Sequence, residues 1–190
     1  MRNVISLAHV SFDGFMATPD GDLSWVKLDQ EAVDNIHPLI HPITTAIYGR
    51  TTYEMMLGYW PTVLAEPAKH KAHERDHAAW VDKVEKVVFS RTLGPQSWTN
   101  TRVVAGNLAE EIAALKRRPG ADIMIFGSPS ITRALLALDL IDEWYVTINP
   151  VILGHGIPMF GRTERPVQLE LRSAKTFASG AVFTHHVTRR

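Results

Sequence analysis

The chain has 190 residues, of which 45% are hydrophobic, with 20 basic and 20 acidic side chains, a formal net charge of +0 and no cysteine. That length and composition describe one globular domain with a sizeable core. They exclude a disulfide framework, a thiolate metal site, a cysteine nucleophile and the paired-cysteine zinc deaminase signature. No basic block exists to neutralise the phosphates of a nucleic acid or an anionic membrane surface. The apolar start is short and broken by Ser6 and His9, unlike a signal peptide or a membrane span, so a cytoplasmic protein is expected.

In chain order, residues 4–10 read as a strand and residues 13–25 as a long loop with a turn at Pro19-Asp20-Gly21-Asp22. Residues 29–40 predict a helix with Val33, Ile36 and Ile40 on one face. A strand over 46–48 and a short helix over 52–57 follow, then a polar stretch over 67–83 that is either helix or loop. Residues 86–89 form a β-branched run, so a strand. Asn107 caps a helix with Glu110 and Glu111 in its first turn and Lys116 to Arg118 in its last, and Pro119-Gly120 ends it. Ile123-Met124-Ile125-Phe126 has the continuous apolar character of a buried parallel strand, and a helix follows with Ile131, Leu135 and Leu138 at helical spacing. A strand over 144–149 precedes two runs, 169–176 and 181–187, that flank Ser179-Gly180 as a hairpin. Strands alternating with helices and closing on a hairpin predict a single α/β domain, a mixed sheet covered by helices on both faces.

Three strand ends carry the chemistry. In Tyr48-Gly49-Arg50-Thr51-Thr52-Tyr53-Glu54 the glycine allows close backbone approach, and Thr51 with Glu54 forms a capping-box pattern. The helix start would present free N–H groups and a positive dipole end to an anion, with Arg50 beside it. Ser90-Arg91-Thr92 sets two hydroxyls and a guanidinium fork at the end of the next strand. Gly127-Ser128-Pro129-Ser130 ends the third, with Ser128 as expected N-cap and Pro129 at the first helical position. Each alone is also an ordinary capped turn. Together they suit ligand binding beyond the carboxyl ends of an open α/β sheet.

These pieces, in this order, resemble the dihydrofolate-reductase-like family, in the branch related to the C-terminal reductase domain of the riboflavin-biosynthesis deaminase-reductase. The matching residues are Val10-Ser11-Phe12-Asp13-Gly14-Phe15, the Gly49 to Glu54 run, Ser90-Arg91, Phe126-Gly127-Ser128, and Asp142-Glu143-Trp144 through Asn149-Pro150-Val151-Ile152-Leu153-Gly154. The resemblance spans nearly the whole chain. It implies a dihydrofolate-reductase-like three-layer sandwich that binds NADPH and transfers a hydride to a small heterocyclic, pterin- or pyrimidine-like, or other small substrate. The implied cofactor residues are Gly49, Arg50, Thr51, Thr52, Ser90, Arg91, Gly127, Ser128 and Ile131. The implied substrate residues are Asp13, Trp25 and Tyr53, and a homodimer is expected by the same likeness, supported by the apolar run Val151-Ile152-Leu153. Folate reductases carry one carboxylate on their first long helix; Asp29 stands there as the candidate catalytic residue and equally as an N-cap. Phe126 stands where the riboflavin branch usually has an acidic residue, which argues against its phosphorylated precursor as substrate. A non-catalytic nucleotide- or flavin-binding protein on the same fold is the alternative.

His37 and His41, and His70, His73 and His77, have helical spacing but no acidic partner in a ligand pattern; they read as a solvated face, with no metal site expected.

Overall fold

The computed structural model describes residues 1–190. Ten strands and five helices follow in chain order: β1 (Val4–Ser11), β2 (Phe15–Ala17), α1 (Gln30–Ile40), β3 (Thr45–Gly49), α2 (Arg50–Ala65), α3 (Ala72–Lys83), β4 (Glu85–Phe89), β5 (Thr101–Val104), α4 (Leu108–Arg117), β6 (Ile123–Phe126), α5 (Pro129–Ala137), β7 (Glu143–Asn149), β8 (Ile157–Pro158), β9 (Leu169–Thr176) and β10 (Val182–Thr188). Eight strands form one sheet in the order β5-β4-β3-β6-β1-β7-β10-β9. β1 pairs in parallel with β6 and β7, and β3 with β4 and β6, while β10 is antiparallel to both its neighbours. The expected mixed, mostly parallel sheet with a C-terminal hairpin is what forms. No helix is long and apolar enough to cross a membrane.

Strand alternation divides the core in two. Ile5, Leu7, Ala46, Tyr48, Val88, Met124 and Phe126 pack under α1, through Ala32, Ile36 and Ile40, and under α2, through Tyr53. Val4, Ala8, Val10, Ile47, Val87, Ile123 and Ile125 pack on the opposite face with Ile112 and Leu115 of α4 and Ile131 and Leu135 of α5. β6 is buried along its whole length because helices cover both its faces, the reason its sequence shows no polar alternation.

Several local expectations are corrected. α2 runs sixteen residues, not the short helix over 52–57, continuing through Pro61 and packing against α3; tertiary packing outweighs the local breakers. Its N-cap is Gly49, without a side-chain bond. Thr51 is therefore inside the helix, and Glu54 pairs with Arg50 one turn back at 2.8 Å instead of closing a capping box. The stretch 67–83 is a 3-10 turn over Pro67–Lys69 followed by α3. Three strands lie outside those expected. β5 adds an edge beside β4, and β2, inside the stretch read as loop, pairs with the two-residue β8. All three are too short to show a period.

Candidate active site

The sheet order makes neighbours of the three strand ends. Gly49 stands opposite Phe89, and Ile47 opposite Ile125, so that Gly49 lies level with Gly127 two residues on. The glycine turns after β3 and β6 and the serine-arginine turn after β4 thus share one edge, at the point where the connections diverge, β3 leading to β4 on one side and β6 to β7 on the other. That is where ligands bind in open α/β sheets.

The two glycine turns are bolted together. The Gly49 N–H donates to Ser128 Oγ at 2.8 Å in a buried bond. Ser128, only 2% exposed, sits at the N-cap position of α5 but does not cap it. Gly127 and Ser128 both take positive φ, 55° and 48°, a conformation costly for serine and free for glycine. The turn's carbonyls are held from within: Thr132 Oγ1 donates to the Gly127 carbonyl at 3.1 Å, and the Ile131 and Thr132 N–H groups donate to that of Ser128. A methyl group on Gly49 would meet Ile131 Cγ1 and Ser130 Oγ, both at 3.3 Å, while one on Gly127 would face Thr52 Cγ2 at 4.0 Å. Gly49, Thr52, Gly127, Ser128 and Ile131 therefore line one tight corner. The first-turn N–H groups of α2, at Arg50, Thr51 and Thr52, lie outside any intrahelical ladder and carry the positive end of a sixteen-residue dipole.

The third turn is linked to the first. Arg50 Nη1 donates to Thr92 Oγ1 at 3.0 Å, while its Nε is engaged by Glu54. Ser90 Oγ accepts the N–H groups of Thr92 and Leu93 at 3.2 and 3.0 Å, shaping the loop rather than standing free. Arg91 is exposed.

On the other side of β6 the loop after β1 is sewn to the segment after β7. Asp13 accepts from Ser11 Oγ at 2.6 Å and from the N–H groups of Leu153 and Gly154 at 3.1 and 2.7 Å. These bonds hold its carboxyl below the usual range, the Ser11 bond most strongly. Asn149, buried at the end of β7, accepts the Lys27 N–H at 2.9 Å and donates to the Val10 carbonyl at 3.3 Å. In the sequence Asn149 is one residue of a longer motif, and its role as the pin between loop and sheet depends on a partner 122 residues away. Trp25 is half-buried in this loop, its indole N–H on the Asp22 carbonyl at 3.1 Å.

Two expected site residues are differently employed. Asp29 caps α1: Oδ1 accepts the Ala32 N–H at 2.8 Å and Oδ2 the Ser179 N–H at 2.9 Å. Those bonds, the Ala32 bond foremost, depress its carboxyl and hold it ionised, so it carries no proton to give near neutral pH. Tyr53 is fully buried between Tyr48 and Trp98, with ring centroids at 6.5 and 5.9 Å, and its ring is core rather than an open stacking surface. Phe126 is likewise core, stacked on Tyr48 at 5.8 Å.

The histidines of α1 and α3 are only partly solvated: His41 is exposed, while His37, His73 and His77 are half-buried between the helices. His37 lies 4.8 Å from His41, 6.3 Å from His73 and 5.9 Å from His77, centroid to centroid. His77 is walled by Trp60 at 4.5 Å and Trp80 at 5.3 Å, and burial pushes it down to about 3. The helix pairing that creates this enclosure has no local signature.

His9 and Thr147 were not singled out by sequence reasoning. They are register partners on β1 and β7. His9 Nδ1 and Thr147 Oγ1 are both buried and both without a hydrogen-bond partner. His9 continues the face of Ile5 and Leu7, under α1, and burial pushes its imidazole down to about 4.

A depression of about 660 Å³ lies at the opposite, amino end of the strands, among Arg2, Thr44, Lys83, Glu85, Arg102 and Arg118. Its arginines are already committed: Arg2 donates to Leu115 O, Thr44 Oγ1 and Thr45 Oγ1, Arg102 pairs with Glu111, and Arg118 pairs with Glu85. The carboxyl ends, with their paired glycine turns and uncommitted helix-start amides, are the better-built site.

Comparison with known proteins agrees with this geometry. The uncharacterized Bacillus subtilis (strain 168) protein YyaP is 30% identical over 95% of this chain and 92% of its own. A candidate riboflavin biosynthesis protein from Shewanella sp. PV-4 superposes with a TM-score of 0.78 over 100% of both chains, at 23% identity. Dihydrofolate reductase from Enterococcus faecalis, complexed with NADP(H), superposes with a TM-score of 0.65 over 99% of this chain and 97% of its own, at 14% identity. The fold is dihydrofolate-reductase-like, and with residues 2–183 matching the RibD C-terminal domain, the chain belongs to that family.

Proposed function

We propose that this protein is an NADPH-dependent reductase that acts on a small heterocyclic, pterin- or pyrimidine-like, or other small substrate. The observation that carries the reading is the Gly49 N–H to Ser128 Oγ bond, which fixes two glycine turns level with each other at the carboxyl edge of the sheet. A corner that a single methyl on Gly49 would crowd, lined by first-turn amides, fits a cofactor pyrophosphate. In this reading Gly49, Arg50, Thr51 and Thr52 hold one phosphate, and Gly127, Ser128 and Ile131 support the backbone's close approach. Ser90 shapes the loop that presents Arg91 to a 2′-phosphate, a charge-assisted pair. NADPH, when bound, supplies the hydride. The chain's own residues orient the reactants and keep water out: Asp13 and Asn149 hold the loop beside the site, Trp25 offers a face to a planar substrate, and Tyr53 and Phe126 stiffen the floor. Asp29 keeps the start of α1 in place.

The test is titration with NADPH and NADH. NADPH is expected to bind at least about tenfold tighter, roughly 1.4 kcal/mol, with that preference lost in Arg91→Ala. Equal affinities, or a preference indifferent to Arg91, would refute the cofactor assignment. The engagement of both Asp29 oxygens by backbone N–H groups favours one second reading, a nucleotide- or flavin-binding protein without catalysis. Tight NADPH binding without oxidation across a panel of reducible heterocycles would select it.

A homodimer is the assembly we propose. Phe12 and Ile152 are 73% and 71% exposed, and the Phe12 N–H donates to the Val151 carbonyl at 2.8 Å, which brings the two apolar segments side by side. A monomeric mass by light scattering at micromolar concentration would rule it out.

A further inference from the structure

α3 carries His73-Glu74-Arg75-Asp76-His77, the H-E-x-x-H order in which two histidines one helical turn apart share a face and can reach a single metal ion. The expectation that these histidines lack an acidic residue in a ligand pattern is thereby corrected. Spacing alone is weak, because such a pair also occurs on ordinary solvated helices. The placement of α1 beside α3 adds an independent observation. His37 of α1 stands 6.3 Å from His73 and 5.9 Å from His77, ring centroid to ring centroid, and 4.8 Å from His41, its own neighbour one turn on.

Imidazoles that share a tetrahedral zinc through Zn–N bonds of about 2.0–2.1 Å have ring centroids about 5 Å apart, and the three rings around His37 stand within roughly an ångström of that. As the rings stand, no three side chains present converging donors; side-chain rotation of His73 and His77 towards His37 is the movement a shared ion requires. The surroundings suit a cation that enters from one side. The carboxylates of Asp34 and Asp76 act on His37 with negative charge. Trp60 and Trp80 close the inner side of His77 at 4.5 and 5.3 Å, while His41 is exposed at the outer edge. Glu74 is not free to serve as the base of a zinc hydrolase: Oε2 accepts the Lys71 N–H at 2.8 Å and Oε1 the Tyr59 hydroxyl at 2.7 Å. The chemistry left to the cluster is ligation that joins two helices.

We propose that His37, His73 and His77 bind one divalent ion of the zinc class, and that this ion clamps α1 to α3. Imidazole nitrogens suit Zn2+, Co2+ and Ni2+ and do not suit Mg2+ or Ca2+, which take oxygen ligands. His41 or a water completes four-coordination. α1 starts at Asp29, whose carboxylate also holds the Ser179 N–H of the hairpin turn, so the clamp ties α3 through α1 to the β9–β10 hairpin. The proposal does not use the reductase reading, and neither NADPH nor turnover enters its test.

The experiment uses the untagged full chain, stripped with EDTA and exchanged into metal-free buffer at neutral pH. Calorimetric titration with zinc chloride is expected to show one equivalent bound with a Kd of about 1 μM or tighter. At about 100-fold that concentration the thermal midpoint should rise by about 5 °C or more, and the same concentration of Mg2+ should leave it unchanged. Co2+, as a spectroscopic probe, should give the intense visible bands of a tetrahedral site. His37→Gln and His73→Gln, one from each helix, are each expected to weaken Zn2+ binding at least tenfold. His70→Gln, whose ring stands against Tyr59 outside the cluster, should stay within twofold of wild type. Midpoints of the variants in EDTA should match that of wild type, which separates lost binding from lost folding. Should a variant fail to fold, the stoichiometry and Co2+ spectrum of wild type decide the matter. The absence of a saturable equivalent, more than one equivalent of equal affinity, or the weak bands of octahedral Co2+ overturns the proposal. So does an affinity that responds to only one of the two helices, which would assign the ion to a single-helix pair and remove the clamp.

Discussion

His77 provides a quantitative test of the packing between α1 and α3. Its ring is enclosed by Trp60, Trp80 and His37, and burial, reinforced by His37, His41 and His73, pushes its pKa down to about 3. In the unfolded chain a histidine titrates near 6.5. A folded value below the unfolded one means that the unfolded chain binds the extra proton as pH falls. The stability tied to neutral His77 is therefore present above about pH 6.5 and lost progressively on acidification towards the folded value. At about pH 5 the loss is ~2 kcal/mol, from about 1.4 kcal/mol per pH unit over roughly 1.5 units. His9, pushed down to about 4, adds a similar amount in the same window. Against a total stability of about 5–15 kcal/mol, the pair would make the protein visibly acid-labile. The perturbation is His77→Phe, which suits an aromatic enclosure and removes the titration. Urea unfolding followed by tryptophan fluorescence at about pH 7 and about pH 5 should show the variant losing ~2 kcal/mol less than wild type between the two. Carboxylate contributions are common to both proteins and cancel. An identical acid loss in the two proteins would mean that His77 is solvated and that the helices do not pack as described.

Ser128→Ala leaves the buried Gly49 N–H without its acceptor, and should lower stability by about 1–3 kcal/mol in denaturant unfolding and weaken NADPH binding; no change in either would remove the bond from the argument. Gly49→Ala places a methyl 3.3 Å from Ile131 Cγ1 and Ser130 Oγ, so calorimetry should register a cost of about 1–3 kcal/mol together with loss of cofactor affinity. Asp29→Asn should retain the α1 cap and change turnover by less than about tenfold, since Asn caps as well as Asp. A drop of about a hundredfold at unchanged NADPH affinity would return Asp29 to the role of proton donor.

What the sequence alone determined here is whatever a helix turn or a strand period encodes locally. The helix from 29 to 40 shows in its spacing because Ile36 and Ile40 fall one turn apart, although Ala32 and not the expected Val33 completes the buried stripe, and β6 shows because both its faces are apolar. The hairpin around Ser179-Gly180 is written in a turn with φ +82° at the glycine. The strand-end glycines at 49 and 127 were legible as places of close approach, since only their lack of a Cβ permits it. The tertiary structure decided what each of these residues does. Ser128 reads as a cap but accepts from Gly49 79 residues away, and Asp29 both caps its helix and holds a backbone N–H 150 residues on. Tyr53 could have been a ligand surface until Trp98 covered it, and His77 could have been solvated until Trp60 and Trp80 did the same. His9 and Thr147 meet only through the register of β1 on β7. Local spacing fixes which face a side chain occupies, while sheet order and helix docking, set by burial summed over the whole chain, choose what stands opposite it.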